Sequence, residues 1–313
     1  MIIEDETFRL PPEIYTPCTA PGYRPAHEGH EPLDLTLTVE GGALRGIFAA
    51  GVLDFFMDMG VWAKNLVGVS AGSLCGFNYV SGQRGRTCYM NVRFCNDWRY
   101  LSLRSFLATG NAYGVQFAFH DIREKYSPQD DEGFMASPCK EHVVMTNLET
   151  GKAEYHVMGN PADDWVYLRA SSAMPFVSQP PIIDNKPYLD GGIADSIPID
   201  YARTLGTRKH IVLLTQARDF MKEENKKMEL GRIVYRAYPR FCDIMENRHN
   251  VYNETRAKIE KLHEEGEIYA IYPPEPPQVK HMETDREKVF DLCLQGYCEG
   301  QRLWPEIKKY LEL

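Results

Sequence analysis

Between Leu33 and Val39, apolar residues alternate with polar ones (Leu33, Leu35, Leu37, Val39), the two-residue period of a β-strand. Gly41 and Gly42 break that strand. From Ile47 to Met59 the period lengthens. Ile47, Val52, Phe55 and Phe56 share a helical face, Asp54 and Asp58 point away, and Gly60 supplies the stop. A short apolar strand, Leu66 to Val69, then turns into a second helix from about Gly72 to Val80. The order strand–helix–strand–helix predicts a parallel sheet in an α/β fold.

Residues 86–126 are mixed and partly helical. Val143–Leu148 and Ala153–Met158 read as two strands of a hairpin around Glu149-Thr150-Gly151-Lys152. Trp165–Ala173 reads as a short helix ended ahead of Pro175, and residues 174–198, rich in Pro and Gly, as a long loop suited to carry chemistry. Ile211–Leu214 reads as a buried central strand. Residues 219–265 turn helical with rising charge, and Glu267–Tyr272 adds a strand. The last thirty residues form one or two amphipathic helices packed by Val289, Leu292, Leu294, Leu303 and Trp304. Ahead of all this, residues 1–32 lack a hydrophobic period and read as an extended arm, either lying on the domain or loose. The expected division is an arm (1–32), an α/β domain (33–215) and a mainly helical extension (216–313) packed on that domain.

The 313 residues are 43% hydrophobic and 25% charged, ample for a buried core, and the net charge of −9 disfavours nucleic acid as a partner. No apolar run is long enough to span a bilayer, and the acidic amino terminus does not resemble a signal peptide, so a cytoplasmic location is expected. The eight cysteines (Cys18, Cys75, Cys88, Cys95, Cys139, Cys242, Cys293, Cys298) contain no C-x-x-C pair and no zinc spacing, and are read as free thiols.

Three motifs carry chemistry. Gly68-Val69-Ser70-Ala71-Gly72 lies where a strand feeds a helix, so Ser70 projects from a sharp turn whose crowding Gly68 and Gly72 relieve. The helix amino end beside it favours developing negative charge. Glu40-Gly41-Gly42-Ala43-Leu44-Arg45-Gly46 also follows a strand and precedes a helix. Its backbone N–H groups suit an oxyanion hole. A nucleotide-binding loop is the competing reading, but both the G-x-G-x-x-G spacing and the P-loop lysine are missing. Asp190-Gly191-Gly192 closes the 174–198 loop. By itself it is a turn signal.

Together, and in this order, the three resemble the patatin-like phospholipase family, whose D-G-G-G-x-R/K-G, G-x-S-x-G and D-G-G/A motifs read here E-G-G-A-L-R-G, G-V-S-A-G and D-G-G. Ala170-Ser171-Ser172-Ala173-Met174-Pro175 is similar to that family's A-S-x-A-x-P segment. The resemblance covers about residues 33–215. The stretch from 216 onward, including Arg248-His249-Asn250-Val251-Tyr252-Asn253, resembles the helical extension of a bacterial subgroup. It implies a three-layer α/β/α fold with a mostly parallel central sheet. It further implies a lipid acyl hydrolase with Ser70 as nucleophile and Asp190 as base, Gly191 and Gly192 completing the base motif, and Gly41, Gly42, Ala43 and Arg45 forming the oxyanion loop. No cofactor or metal is implied. Glu40 stands where the family has Asp, and Ala43 where it has a third glycine, so a methyl group restricts the loop.

Several alternatives stay open. An α/β-hydrolase triad would need one of His210, His249, His263 or His281, none of which is flanked by a catalytic-loop signature. A lipid-binding protein without catalysis would use the same scaffold. Arg45 reads equally as a phosphate ligand or as a structural pin for its loop. Arg84, Arg86, Arg93, Arg99 and Arg104, interleaved with Trp98 and Tyr100, read either as a solvated face or as a basic, aromatic surface for transient contact with a membrane.

Overall fold

The computed structural model describes residues 10, 11, 13–224 and 228–313. Its centre is a mixed sheet built from β1 (Leu33–Val39), β2 (Ala63–Val69), β3 (Lys140–Asn147), β4 (Ala153–Val157), β5 (Ile182–Ile183), β6 (Lys186–Asp190), β7 (Lys209–Leu213) and β8 (Tyr269–Ile271). The strand order is β5-β6-β3-β2-β1-β7-β8, with β4 paired to β3. The run β3-β2-β1-β7-β8 is parallel, while β4 and β6 pair antiparallel with β3.

Strand alternation divides the core in two. Leu35, Leu37, Val39, Ile211 and Leu213 face α1 (Ile47–Asp58) and α10 (Arg286–Leu311). Val212 and Leu214 face the opposite way, onto Tyr252, Ile259 and Leu262 of α9 (Pro239–Glu264). Helices on both faces make this a three-layer α/β/α arrangement, and they explain why Thr36 and Thr38, two of the three polar positions of β1, are fully buried. Thr36 is satisfied by Thr207, its hydroxyl oxygen 2.6 Å from that of Thr207.

α1 departs from the expected amphipathic surface helix. Both Gly51 on α1 and Gly296 on α10 lie against the other helix: a Cβ on Gly51 would stand 2.0 Å from the Cys293 carbonyl oxygen, and one on Gly296 2.0 Å from that of Phe48. With α10 pressed so closely, Asp54 is buried rather than pointing to solvent. It accepts a hydrogen bond from Gly85 N at 2.9 Å, and burial pushes its carboxyl up to about 7. α10 is one continuous helix with Pro305 inside it, and Leu294, expected to pack, is half exposed.

The described part of the amino-terminal arm lies on the domain. Tyr15 stacks on Tyr89 with ring centroids 4.5 Å apart, and its hydroxyl is 2.8 Å from that of Ser127. Residues 1–9 and 12 lie outside the described residues. The 174–198 segment is not one long loop, since it contains β5, β6 and a short 3-10 turn at Gly191–Ile193. Pro187 is the second residue of β6, and its carbonyl oxygen accepts from Leu148 N at 3.0 Å. Among the described residues, no helix is long and apolar enough to cross a membrane.

Candidate active site

The parallel strands β1, β2 and β7 all end on the same side, and their carboxyl ends carry Glu40–Gly46, Ser70 and Thr215. That is where open α/β sheets place ligands. Ser70 follows β2 immediately and precedes α2 (Ala71–Val80). Its φ of 54° and ψ of −121° are strained for a residue with a side chain. The flanking glycines are sterically required. A Cβ on Gly68 would lie 2.5 Å from Ser73 Cα, and one on Gly72 2.3 Å from the Val39 carbonyl oxygen. Ser70 N donates to Ser171 Oγ at 2.9 Å, and Ser171, at the end of α6 (Pro161–Ser171), is fully buried. The hydrogen bond thus braces the strained turn from the A-S-x-A-x-P segment.

Asp190 reaches Ser70 through strand register. β2 runs along β3 until Val69 faces Val144, and β6 runs the other way along β3 until Asp190 faces Met145. β4 occupies the far edge of β3 beside both, so β2 and β6 share the near edge and meet end to end. Gly191 permits the meeting, because a Cβ there would stand 2.2 Å from the Val144 carbonyl oxygen. Ser70 Oγ donates to Asp190 Oδ2 at 2.6 Å, and Gly192 N donates to Oδ1 at 2.8 Å. Burial raises the Asp190 pKa, opposed by the bonds from Ser70 and Gly192 and by the nearby charge of Arg248.

The glycine loop lies against this pair. A Cβ on Gly41 would be 2.9 Å from both Ser70 Cβ and the Val69 carbonyl oxygen, and one on Gly42 2.7 Å from Thr215 Oγ1. The N–H groups of Gly41 and Gly42 have no partner among the described residues. Ala43 has φ 49°, the left-handed region where glycine is preferred. Buried Glu40 ties the loop down: Oε2 accepts from Thr215 N at 2.7 Å and Oε1 from the Tyr252 hydroxyl at 2.6 Å.

Two cavities meet at Ser70, Ala43 and Met174. One is apolar, with Ile47, Leu74, Phe77, Phe119 and Trp165 among its walls. The other is polar and holds Glu40, Asp190, Arg45, Lys222, Arg248 and His281. Arg248 Nε donates to the Gly192 carbonyl, so α9 bears directly on the Asp190 turn.

The four histidines of the alternative triad are dispersed, and none bonds to Ser70 or Asp190. His210 is on β7, His249 bonds the Glu246 carbonyl oxygen, and His263 accepts from Ala270 N. His281 lines the polar cavity, where its Nε2 lies 3.2 Å from Arg45 Nη1.

Of the arginine-rich segment, Arg86 is buried, Arg84, Arg93 and Arg99 are half-buried and Arg104 is exposed, with Arg93 lying over Phe94. Arg84 pairs with Asp58, Arg86 is buried on the Ser127 carbonyl, Arg99 pairs with Asp97 over Phe117, and Arg104 covers Trp98. Sequence reading gave no site role to Lys222, Arg248 or Tyr252. A signal existed in the four-residue spacing of Arg248, Tyr252 and Arg256, which puts them on one face of a helix.

Comparison with known proteins gives the following relatives. A model described as a domain of unknown function (DUF6363) matches residues 238–312. The uncharacterized protein YjjU of Escherichia coli K12 is 26% identical over 251 residues, covering 79% of this chain and 70% of that protein. Lysophospholipase nte1 of Aspergillus niger is 26% identical over 175 residues, and lysophospholipase NTE1 of Eremothecium gossypii 30% over 175 residues. These matches cover 54% and 52% of this chain but only 11% of each lysophospholipase, so the chain spans about a tenth of their length. In a crystal structure, VipD of Legionella pneumophila aligns over 88% of this chain and 67% of that one, at 13% identity and a TM-score of 0.44. The patatin-like phospholipase model matches residues 37–203, more than half of the chain, from within β1 to the end of α7 (Ile199–Thr204) and including Ser70, Asp190 and the glycine loop. The chain therefore belongs to the patatin-like phospholipase family.

Proposed function

We propose that this protein is a serine acyl hydrolase of lipids, acting through Ser70 and Asp190 by way of an acyl-enzyme. The observation that carries the reading is the 2.6 Å hydrogen bond from Ser70 Oγ to a buried Asp190, placed where an apolar and a polar cavity meet. A carboxylate in water is a weak base for a hydroxyl; burial raises its proton affinity. Ser70 Oγ attacks the ester carbonyl as its proton passes to Asp190. The carbonyl π electrons become the oxyanion, held by N–H groups of the 41–43 loop, each worth about 2.7–4 kcal/mol in such sites. When the carbonyl reforms, the leaving alkoxide takes the proton from Asp190, which then activates a water to release the fatty acid from Ser70.

Two further observations support a lipid substrate. The apolar cavity suits an acyl chain. Segment Phe176–Gln179, next to Met174 and Pro175 at the cavities, is held by Val177 O to Ala112 N, just after α4 (Leu103–Thr109), and by Phe176 N to Tyr235, just after α8 (Met228–Val234). These two helices expose Leu103, Leu107, Leu230 and Ile233, an arrangement suited to transient contact with a lipid surface. Fluorophosphonate labelling tests the reading. Wild type is expected to be modified at Ser70, and Ser70→Ala is expected neither to be labelled nor to hydrolyse short-chain esters. Wild type that shows neither labelling nor turnover would overturn the proposal.

A further inference from the structure

The polar cavity is richer in positive charge than catalysis at Ser70 requires. Arg45 enters from the glycine loop, Lys222 from the segment after β7, Arg248 from α9, and His281 from the segment between β8 and α10. No carboxylate among the described residues lies within ion-pair distance of Arg45, Lys222 or Arg248. Both oxygens of Glu40 are occupied, by Thr215 N and the Tyr252 hydroxyl, and both of Asp190, by Ser70 and Gly192. Arg45 Nε is buried without a partner. His281 faces Arg45, and burial with the charges of Arg45, Lys222 and Arg248 lowers its pKa, so it accepts rather than adds charge. Lys222 Nζ stands 4.4 Å from the Tyr252 ring centroid, and burial with its cationic neighbours lowers its pKa to about 8. Two guanidinium groups and one ammonium thus converge on a cavity that holds two carboxylates, Glu40 and Asp190, neither within ion-pair distance, so their desolvation is only partly offset, a state that a bound anion relieves.

We infer that Arg45, Lys222 and Arg248 form an anion subsite for the phosphoryl group of the substrate head group, so that acyl esters with a net anionic head group are preferred over zwitterionic or uncharged ones. This rests on the hydrolase reading above and deepens it. The anion would sit on the far side of Ser70 from the apolar cavity, so one glycerol ester bond can lie at Oγ while its acyl chain and its phosphate occupy separate cavities. A guanidinium matches phosphate oxygens in a fork, which suits Arg45 with its unused Nε. A choline group is disfavoured here, because quaternary ammonium is held by aromatic faces, and the face of Tyr252 is already taken by Lys222.

The test measures kcat/KM on mixed micelles of lysolipids with one acyl chain and four head groups: phosphomonoester, phosphoglycerol, phosphocholine, and none. The two anionic lipids are expected to exceed phosphocholine by about tenfold or more, a difference of one strong charged contact. Lys222→Met and, separately, Arg45→Gln are expected to bring that ratio close to one, while Lys222→Arg keeps it. Glycerol 3-phosphate is expected to compete with hydrolysis of a short uncharged ester by wild type. Equal rates on all four lipids, with turnover intact, would overturn the subsite and leave the hydrolase standing. Competition by inorganic phosphate without any head-group preference would assign the cavity to free phosphate and equally overturn it. Failure to turn over any ester, with no fluorophosphonate label, would remove the hydrolase reading itself.

Discussion

Replacing Asp190 by Asn separates chemistry from architecture at this site. The amide oxygen can still accept from Gly192 N, as Oδ1 does at 2.8 Å, and the amide nitrogen takes the place of Oδ2, 2.6 Å from Ser70 Oγ. The shape survives, but a carboxamide does not take up the Ser70 proton. General-base catalysis is worth about 10²–10⁴ in rate, or about 3–5 kcal/mol of activation free energy, so kcat/KM on a short-chain ester is expected to fall by that factor. Stability should move little, because two terms oppose. The folded-state pKa of Asp190 is raised by burial, so the native protein binds this proton more tightly than the unfolded chain does. That contribution is fully present below the ordinary carboxylate pKa and is lost as pH rises through the folded value. Asn avoids the cost of burying the charge, but deprives the enclosed Arg248 of a neighbouring carboxylate. A melting temperature within about 3 °C of wild type at pH 7 is expected. The same raised pKa places the acid limb of the wild-type rate profile above the usual carboxylate range of about 3.9, since the active form is the deprotonated one. A variant keeping more than about a tenth of the activity would refute the base assignment. So would an inactive variant whose melting temperature collapses, because Asp190 would then be needed for folding rather than for proton transfer.

Tyr252→Phe leaves Glu40 Oε1 buried without its donor. It is expected to cost about 1–3 kcal/mol in urea unfolding and to lower kcat by loosening the glycine loop; an unchanged unfolding midpoint would refute the anchoring role. Ser171→Ala removes the acceptor of Ser70 N, so kcat and the fluorophosphonate labelling rate should both fall about tenfold while KM holds, and unaltered labelling kinetics would count against it. Ala43→Gly relieves a side chain at φ 49°. The strain removed, about 1–2 kcal/mol, exceeds the unfolded-chain entropy regained, about 0.4–1 kcal/mol, so thermal unfolding should shift slightly upward with activity equal or higher. A lower melting temperature for that variant would show the loop is unstrained.

Local pattern was enough for much of this chain. The strand–glycine–helix junctions at 39–47 and 66–72 are written in adjacent residues, because a nucleophile turn needs Gly68 and Gly72 wherever the rest of the molecule lies. The alternation in β1 and the hairpin of β3 and β4 are equally local. Other features were misread where a distant element overrode the pattern. Asp54 looked like a solvent position until α10 closed over α1, and Arg86, read as one of a surface run of arginines, is buried on the Ser127 carbonyl. The 174–198 stretch looked like a loop because a five-residue strand containing proline, Lys186–Asp190, has no period long enough to read.

What the order of residues determined alone was the first strand–helix units of the sheet and the chemical types of the site: a serine, a carboxylate and a glycine loop. What tertiary structure decided was their coincidence and their electrostatic setting. Ser70 and Asp190 are 120 residues apart and meet because β2 and β6 end against each other on one edge of β3. Arg45, Lys222, Arg248 and His281 come from four separate parts of the chain and share one cavity. The physical reason is range. Turn sterics and strand alternation act between near neighbours in sequence, whereas desolvation and charge act between whatever groups the packed layers bring within a few ångströms.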